Sequence, residues 1–368
     1  MSTKKDKFTK RDSLYMNLAL NIARARHGLT GNNPSVGCLI VKNDEILSIG
    51  QTGYYGKPHA EFNAIKNSNV SLKNSKMYVT LEPCNHYGKT PPCTNLIIKK
   101  KISEVFYALE DIDKKVRGKS FKILESKNIK VQKGLLKNDI NKFYSTYLFN
   151  RKKKLPFVTG KIATSKNNLI YTKEKKKITD IYSDKLTHYL RYKNDMIMIS
   201  YKTLNIDNPK LNCRLKSLSK FSPKRVILDN KLKTKMNSYI FKTANKNNTT
   251  IFYNSAKKKK ITLFKKKGIQ LIKSDLTKNK YFNLKSILKK LYKIGCRNLL
   301  VEGGDDLSGS FLKNKLFNQF YLFKSSKILN KFELYKDFNH TNFLIQNYKT
   351  ISKINTKPSK DVVTLYKK

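Results

Sequence analysis

Two short segments constrain this 368-residue chain more than anything else in it: Pro58-His59-Ala60-Glu61, and Pro83-Cys84 followed by Cys93 after an eight-residue gap. One His nitrogen and two Cys sulfurs suit zinc, and three protein ligands leave the fourth position open, as a catalytic site requires. We read His59, Cys84 and Cys93 as the ligands. Glu61 shares the helix start with His59 but projects elsewhere, so it is placed to move protons without binding the metal. The insert Asn85–Pro92 must loop out and return Cys93, which Gly88 and Pro91-Pro92 suit. Both thiols are expected at helix starts, where dipole and metal favour the thiolate. His86 is read as facing substrate or packing the loop, rather than as a fourth ligand.

Around these residues the pattern alternates. Ser13 is expected to cap a helix carrying Leu14, Leu18 and Ile22, stopped near Gly28. A hairpin follows over 36–41 and 45–50, then a helix from His59, a strand over 77–81, a helix from Cys93 and a strand over 104–109. This is an α/β layered domain, assigned to residues 1–150. The charged, Pro-terminated run Arg151–Pro156 marks the junction. Alternation restarts in 151–368, with strands over 157–164, 195–200, 225–229, 249–253 and 298–302, helices over 180–192, 284–294 and 306–314, and three strands in the tail. The lysine runs 257–260 and 265–267 read as solvated loops or faces.

Net charge of +53 would ordinarily suggest nucleic acid. Yet only nine of the 78 basic residues are Arg, and the Lys are spread along the whole chain. Residues with AT-rich codons are enriched throughout, so we ascribe the charge to genome composition. No apolar run of about 18 residues is present and no signal-peptide pattern opens the chain, so a soluble cytoplasmic protein without membrane contact is expected. Five cysteines argue against a disulfide framework. A homo-oligomer is compatible with all of this.

H-x-E followed by P-C is the pattern of zinc deaminases acting on amino-bearing nucleobase rings. The eight-residue gap departs from the usual two. With that gap, "NNPSVGCLIV", "PHAE" and "TLEPCNHYGKTPPC" resemble the deaminase half of the bifunctional riboflavin-biosynthesis deaminase-reductase family. The resemblance implies a cytidine-deaminase-like three-layer domain followed by a dihydrofolate-reductase-like α/β domain using NADPH. It also implies the substrate 2,5-diamino-6-(5-phosphoribosylamino)pyrimidin-4(3H)-one. Asn33 would line its pyrimidine pocket, although a turn role before Pro34 serves equally well.

In the second half, Val301-Glu302-Gly303-Gly304 ends a strand before a helix, where backbone can approach a phosphate. Arg191 and Arg214 stand in an Arg-poor segment, and their fork suits a phosphate monoester, although a surface ion pair also accounts for each. "GKIATS", "H-x-LR", "T-x-x-x-DNP-x-L-x-x-R" and "RVILD" resemble the family's reductase motifs. They imply Lys161 near the reacting sugar, Arg191, Leu211, Arg214 and Glu302 at the substrate, and Ala163, Thr203, Asp207, Gly303 and Gly304 at NADPH. Four departures stand out: Asn167-Asn168 for Asp-Gly, Lys177 for a Trp, Ser200-Tyr201-Lys202 before Thr203, and Lys324–Asn330 without its Pro and Gly. Two rival readings follow, a deaminase whose second domain is a degraded reductase, and a basic nucleic-acid-binding protein or polynucleotide deaminase.

Overall fold

A computed structural model describes residues 8–87, 91–113, 116–171, 177–330 and 336–368, so Gly88–Thr90 of the insert lie outside the described residues. The chain divides into two compact units, Met1–Lys154 and Leu155–Lys368.

In the first unit, helix α1 (Lys10–Arg26) begins earlier than Ser13 suggested. Thr9 is the cap. Its hydroxyl accepts the Asp12 N–H at 3.0 Å while the Asp12 carboxylate accepts the Thr9 N–H at 2.8 Å, a reciprocal pair worth about 1 kcal/mol. Strands β1 (Gly37–Lys42) and β2 (Glu45–Gln51) form the expected hairpin, followed by α2 (Ala60–Lys66), β3 (Lys76–Leu81), α3 (Cys93–Lys99) and β4 (Glu104–Leu109). Beyond them the unit continues through α4 (Lys119–Glu125), β5 (Lys130–Lys133), α5 (Lys137–Phe143) and α6 (Ser145–Lys153). The sheet order is β2-β1-β3-β4-β5, with β1 antiparallel to both neighbours and β3, β4 and β5 parallel.

Two glycines set the layers. A Cβ on Gly37 would lie 1.9 Å from the Ala19 carbonyl oxygen of α1, and one on Gly50 would lie 2.2 Å from that of Ala60 in α2. Gly50 pairs with Cys38, so Gly37 and Gly50 face opposite sides of the sheet. The helices therefore sandwich it at backbone-close range, giving three layers. The same packing brings the start of α2, the end of β3 and the start of α3 to one edge.

The second unit contains β6 (Phe157–Thr164), β7 (Leu169–Tyr171), α7 (Ile181–Tyr192), β8 (Met196–Ser200), α8 (Tyr201–Asp207), β9 (Lys224–Leu228) and α9 (Tyr239–Lys242). It continues with β10 (Thr249–Tyr253), α10 (Lys258–Lys266), β11 (Gln270–Lys273), α11 (Leu284–Lys293), β12 (Asn298–Val301), α12 (Asp305–Lys313) and β13 (Gln319–Lys324). The tail adds β14 (Lys336–Asp337), α13 (Thr341–Asn347), β15 (Thr350–Ile354) and β16 (Val362–Lys367). Nine strands form one sheet in the order β11-β10-β9-β8-β12-β6-β13-β16-β15, parallel as far as β13. From β8 the chain winds outward to β11, then returns to insert β12 between β8 and β6. Such a reversal opens a crevice at the carboxyl ends of the strands, where open α/β sheets bind ligands. The lysine runs fall on and beside α10, whose Phe264 is buried.

Candidate active sites

His59 is the residue just before α2, Glu61 lies in its first turn, and Cys93 opens α3. Cys84 differs from the expectation of a helix start: it lies in the loop after β3, reached through Glu82 and Pro83. The thiols still converge. His59 Nδ1 lies 3.4 Å from Cys84 Sγ and 3.5 Å from Cys93 Sγ, and all three donor atoms lie within 4.8 Å of one another. Tetrahedral zinc with ordinary bond lengths needs N···S edges of about 3.6 Å, so this donor set fits the ion.

The electrostatics agree. The hydrogen bond from Cys93 and then that from His59 hold the Cys84 thiol down to about 4, while Cys93, donating, is pushed up in turn. The bond to Cys84 raises His59. Burial pushes Glu61 up to about 7, with the nearby His59 pulling the other way. A buried carboxyl near 7 suits an acid–base group.

His59, Glu61 and Cys84 line a cavity of about 230 Å³ that also holds Asn33, Lys57, Glu82, His86, Asp111, Asp113, Tyr147 and Arg151. Asn33 has the turn role as well as the lining one: its Nδ2 donates to the Gly56 carbonyl at 2.9 Å. Glu82 is a part we did not read from sequence. Its buried carboxylate accepts the backbone N–H groups of Asp111, Gly118 and Ser120 at 3.2, 3.0 and 3.2 Å, and Ser120 Oγ donates to the Pro83 carbonyl. The residue two before Cys84 thereby ties down the loop that forms the opposite wall. Asp111 in that loop accepts the Tyr147 hydroxyl at 3.0 Å.

In the second unit, Lys161, Ala163, Thr203, Asp207, Glu302, Gly303 and Gly304 share a cleft of about 310 Å³ at the carboxyl ends of β6, β8 and β12. Nothing lies within 4 Å of a Cβ placed on Gly304, so a ligand can approach that backbone closely. This room at a strand-to-helix turn, flanked by lysines, fits an anionic dinucleotide. Arg191, Leu211 and Arg214 do not line this cleft, and of the three it is Arg191 that reaches it, through Glu302. Arg191 Nε and Nη2 each donate to the Glu302 carboxylate at 2.8 Å, and Nη1 donates to the Asn212 carbonyl at 3.2 Å. Burial raises the Glu302 carboxyl but Arg191 outweighs it, leaving Glu302 below its ordinary range. Leu211 is buried with φ 55°, and the Arg214 N–H donates to His188 Nδ1 at 3.3 Å. Burial lowers Lys161, whose ammonium stands 4.9 Å from the Phe323 ring centroid.

The sequence departures are accommodated. Asn168 takes φ 65°, so the missing glycine's turn is still made by a residue that tolerates it. Asn167 Oδ1 accepts from Ser165 Oγ at 2.7 Å and from the Leu329 N–H at 3.2 Å, and its Nδ2 donates to the Leu329 carbonyl. Lys177 pairs with Asp184, and Lys202 pairs with Asp306 at 3.2 Å.

A family model of the cytidine and deoxycytidylate deaminase zinc-binding region matches residues 9–109, and one of the RibD C-terminal domain matches 159–335. The riboflavin biosynthesis protein RibD of Aquifex aeolicus is 34% identical over 323 residues, 86% of this chain and 88% of the relative. That of Bacillus amyloliquefaciens is 35% identical over 318 residues, 85% and 84% of the two chains. Among solved structures, Acinetobacter baumannii RibD (form 2) is similar with TM-score 0.83 and 25% identity, over 97% of this chain and 99% of that one. The diaminohydroxyphosphoribosylaminopyrimidine deaminase/5-amino-6-(5-phosphoribosylamino)uracil reductase of Thermotoga maritima gives TM-score 0.80 and 28% identity, over 97% and 99%.

Proposed function

Because this chain belongs to the RibD family, matching members over more than four-fifths of its length, we propose that its two cavities divide the two reactions in the Thermotoga relative's name. It is a bifunctional riboflavin-biosynthesis enzyme, a zinc-dependent deaminase joined to an NADPH-dependent reductase. The reading of a degraded second domain gives way to this one. The first cavity would deaminate 2,5-diamino-6-(5-phosphoribosylamino)pyrimidin-4(3H)-one, and the second would reduce the product's ribosyl group to ribityl. The observation that carries the first assignment is the convergence of His59, Cys84 and Cys93 beside the buried Glu61.

When bound by those three side chains, zinc supplies a Lewis acid that lowers the pKa of water. Glu61 would take up a proton in the cavity and return it to the departing amine, for which a pKa near 7 suits both directions. The Glu82-held loop and Asn33 would shape the space around the pyrimidine. In the second cleft, NADPH supplies hydride. Gly303-Gly304, Ala163, Thr203 and Asp207 would hold the cofactor, while Lys161, set against Glu302, would face the sugar. Arg191 would keep Glu302 ionised and oriented, with Leu211 and Arg214 on the substrate side.

Partners are small molecules, and we assign no role to nucleic acid: Lys57 and Arg151 are the only Lys or Arg lining the first cavity among the described residues. No described helix is long and apolar enough to cross a membrane, and a cytoplasmic location completes the proposal. Purified zinc-loaded protein, given the diaminopyrimidine phosphoriboside, should release ammonia and then consume NADPH at 340 nm. Ammonia release without loss of absorbance at saturating NADPH would defeat the bifunctional reading.

A further inference from the structure

The first cavity poses an electrostatic problem for the substrate proposed above, which carries a phosphate monoester. Four carboxylic residues line it: Glu61, Glu82, Asp111 and Asp113. Two of these are engaged. Glu82 is saturated by backbone N–H groups, and Asp111 Oδ1 accepts from the Tyr147 hydroxyl and the Asp113 N–H. An incoming dianion nevertheless needs a cation whose charge no carboxylate already compensates.

Arg151 meets that description. The sequence places it in the charged junction, yet the structure makes it part of the last turn of α6 and a wall of the cavity. Its Nη2 donates to the Asn32 carbonyl at 3.2 Å, and its guanidinium carbon stands 5.4 Å from the Tyr147 ring centroid. A carbonyl and a ring hold the fork in place without cancelling its charge. Arg11, Arg117 and Arg191, by contrast, are each paired with a carboxylate. Arg151 also touches the residue next to Asn33, so it borders the place assigned to the pyrimidine.

Resting on the substrate class proposed above, we propose that Arg151, with Lys57 as a second cation, forms the subsite of the first cavity that binds the substrate's 5-phosphate. Held on two sides, the guanidinium presents a planar donor edge to phosphate oxygens, which a lysine ammonium cannot reproduce. The subsite makes this cavity selective for nucleotides over nucleosides.

The test uses the full zinc-loaded chain. Deaminase kcat/KM is measured for the phosphoribosyl substrate and for its dephosphorylated counterpart. Wild type should prefer the phosphorylated form, and Arg151→Met should cut that preference about 10- to 100-fold, the scale of a charge-assisted contact. Arg151→Lys should restore part of it, with zinc content equal in all three proteins. An unchanged preference in Arg151→Met, or no preference in wild type, overturns the proposal. A second measurement does not depend on turnover: calorimetric titration of ribose 5-phosphate into protein carrying Arg214→Met, so that the phosphate contact suggested for Arg214 does not compete. Binding at least tenfold weaker after Arg151→Met supports the subsite, and unchanged binding sinks it. If wild type deaminates neither compound but binding still depends on Arg151, the proposed substrate falls while the subsite stands.

Discussion

Replacing Glu61 by Gln keeps the side chain's size but removes its ability to carry a proton. We expect Glu61→Gln to retain zinc by metal analysis while ammonia release falls about 10²- to 10⁴-fold, the scale of a lost acid–base group. Cys84→Ser should instead lose the metal. Normal deamination by the Gln variant would show that the proton moves by another route. His188 offers a different test. Burial, then the positive charges of Arg191 and Arg214, lower it to about 4 from an ordinary 6.5. Between those values the unfolded chain binds the extra proton, so this residue's stabilisation is complete above 6.5 and lost as pH falls through 4. Urea unfolding of wild type against His188→Asn should show the difference between them shrinking across that window, by up to about 3 kcal/mol. A pH-independent difference would mean that His188 is not kept neutral by the fold.

At the level of elements, the Glu82 strut couples β3 to the loop entering α4. Gln at 82 would point an N–H at one of three backbone donors, and leaving such a donor unpaired costs about 1–3 kcal/mol. Glu82→Gln should keep zinc but raise KM for the deamination about tenfold or more, measured by ammonia release. An unchanged KM would leave the strut without a role in shaping the cavity. This contact also shows where sequence reasoning stopped. That His59, Cys84 and Cys93 would converge beside Glu61 was legible because a metal restricts which side chains can bind it, and the strands because apolar runs report burial. Glu82 was not, since its partners are main-chain N–H groups 29 to 38 residues onward. The α1 cap was missed in favour of Ser13 although Thr9 and Asp12 stood at capping-box spacing. The short helices α8 and α9 carry little apolar periodicity and escaped notice. Asn167-Asn168 read as a loss, because only backbone angles reveal that Asn168 makes the turn.

Across the whole molecule, two units carry two chemistries with separate requirements. Among the described residues, the His-Cys-Cys group is the one cluster able to hold a metal, and it lies in the first unit. Treatment with 1,10-phenanthroline should therefore abolish ammonia release yet leave NADPH oxidation intact when the deaminated intermediate is supplied. Loss of both activities together would contradict this division.

The placement of β12 bears on how the protein is made. Strand β6 begins at Phe157, but its neighbour in the sheet begins at Asn298, 141 residues later. At ribosomal speeds of roughly 5–20 residues per second, β6 waits about 7 to 28 s for that partner. Until then the cofactor cleft has no floor, and a strand rich in apolar residues lacks its lasting neighbour. The first unit's sheet, whose last strand ends at Lys133, can close before this interval begins. A nascent chain would thus reach deaminase architecture well ahead of reductase architecture, and the unpaired edge of β6 is where chaperones have most to protect.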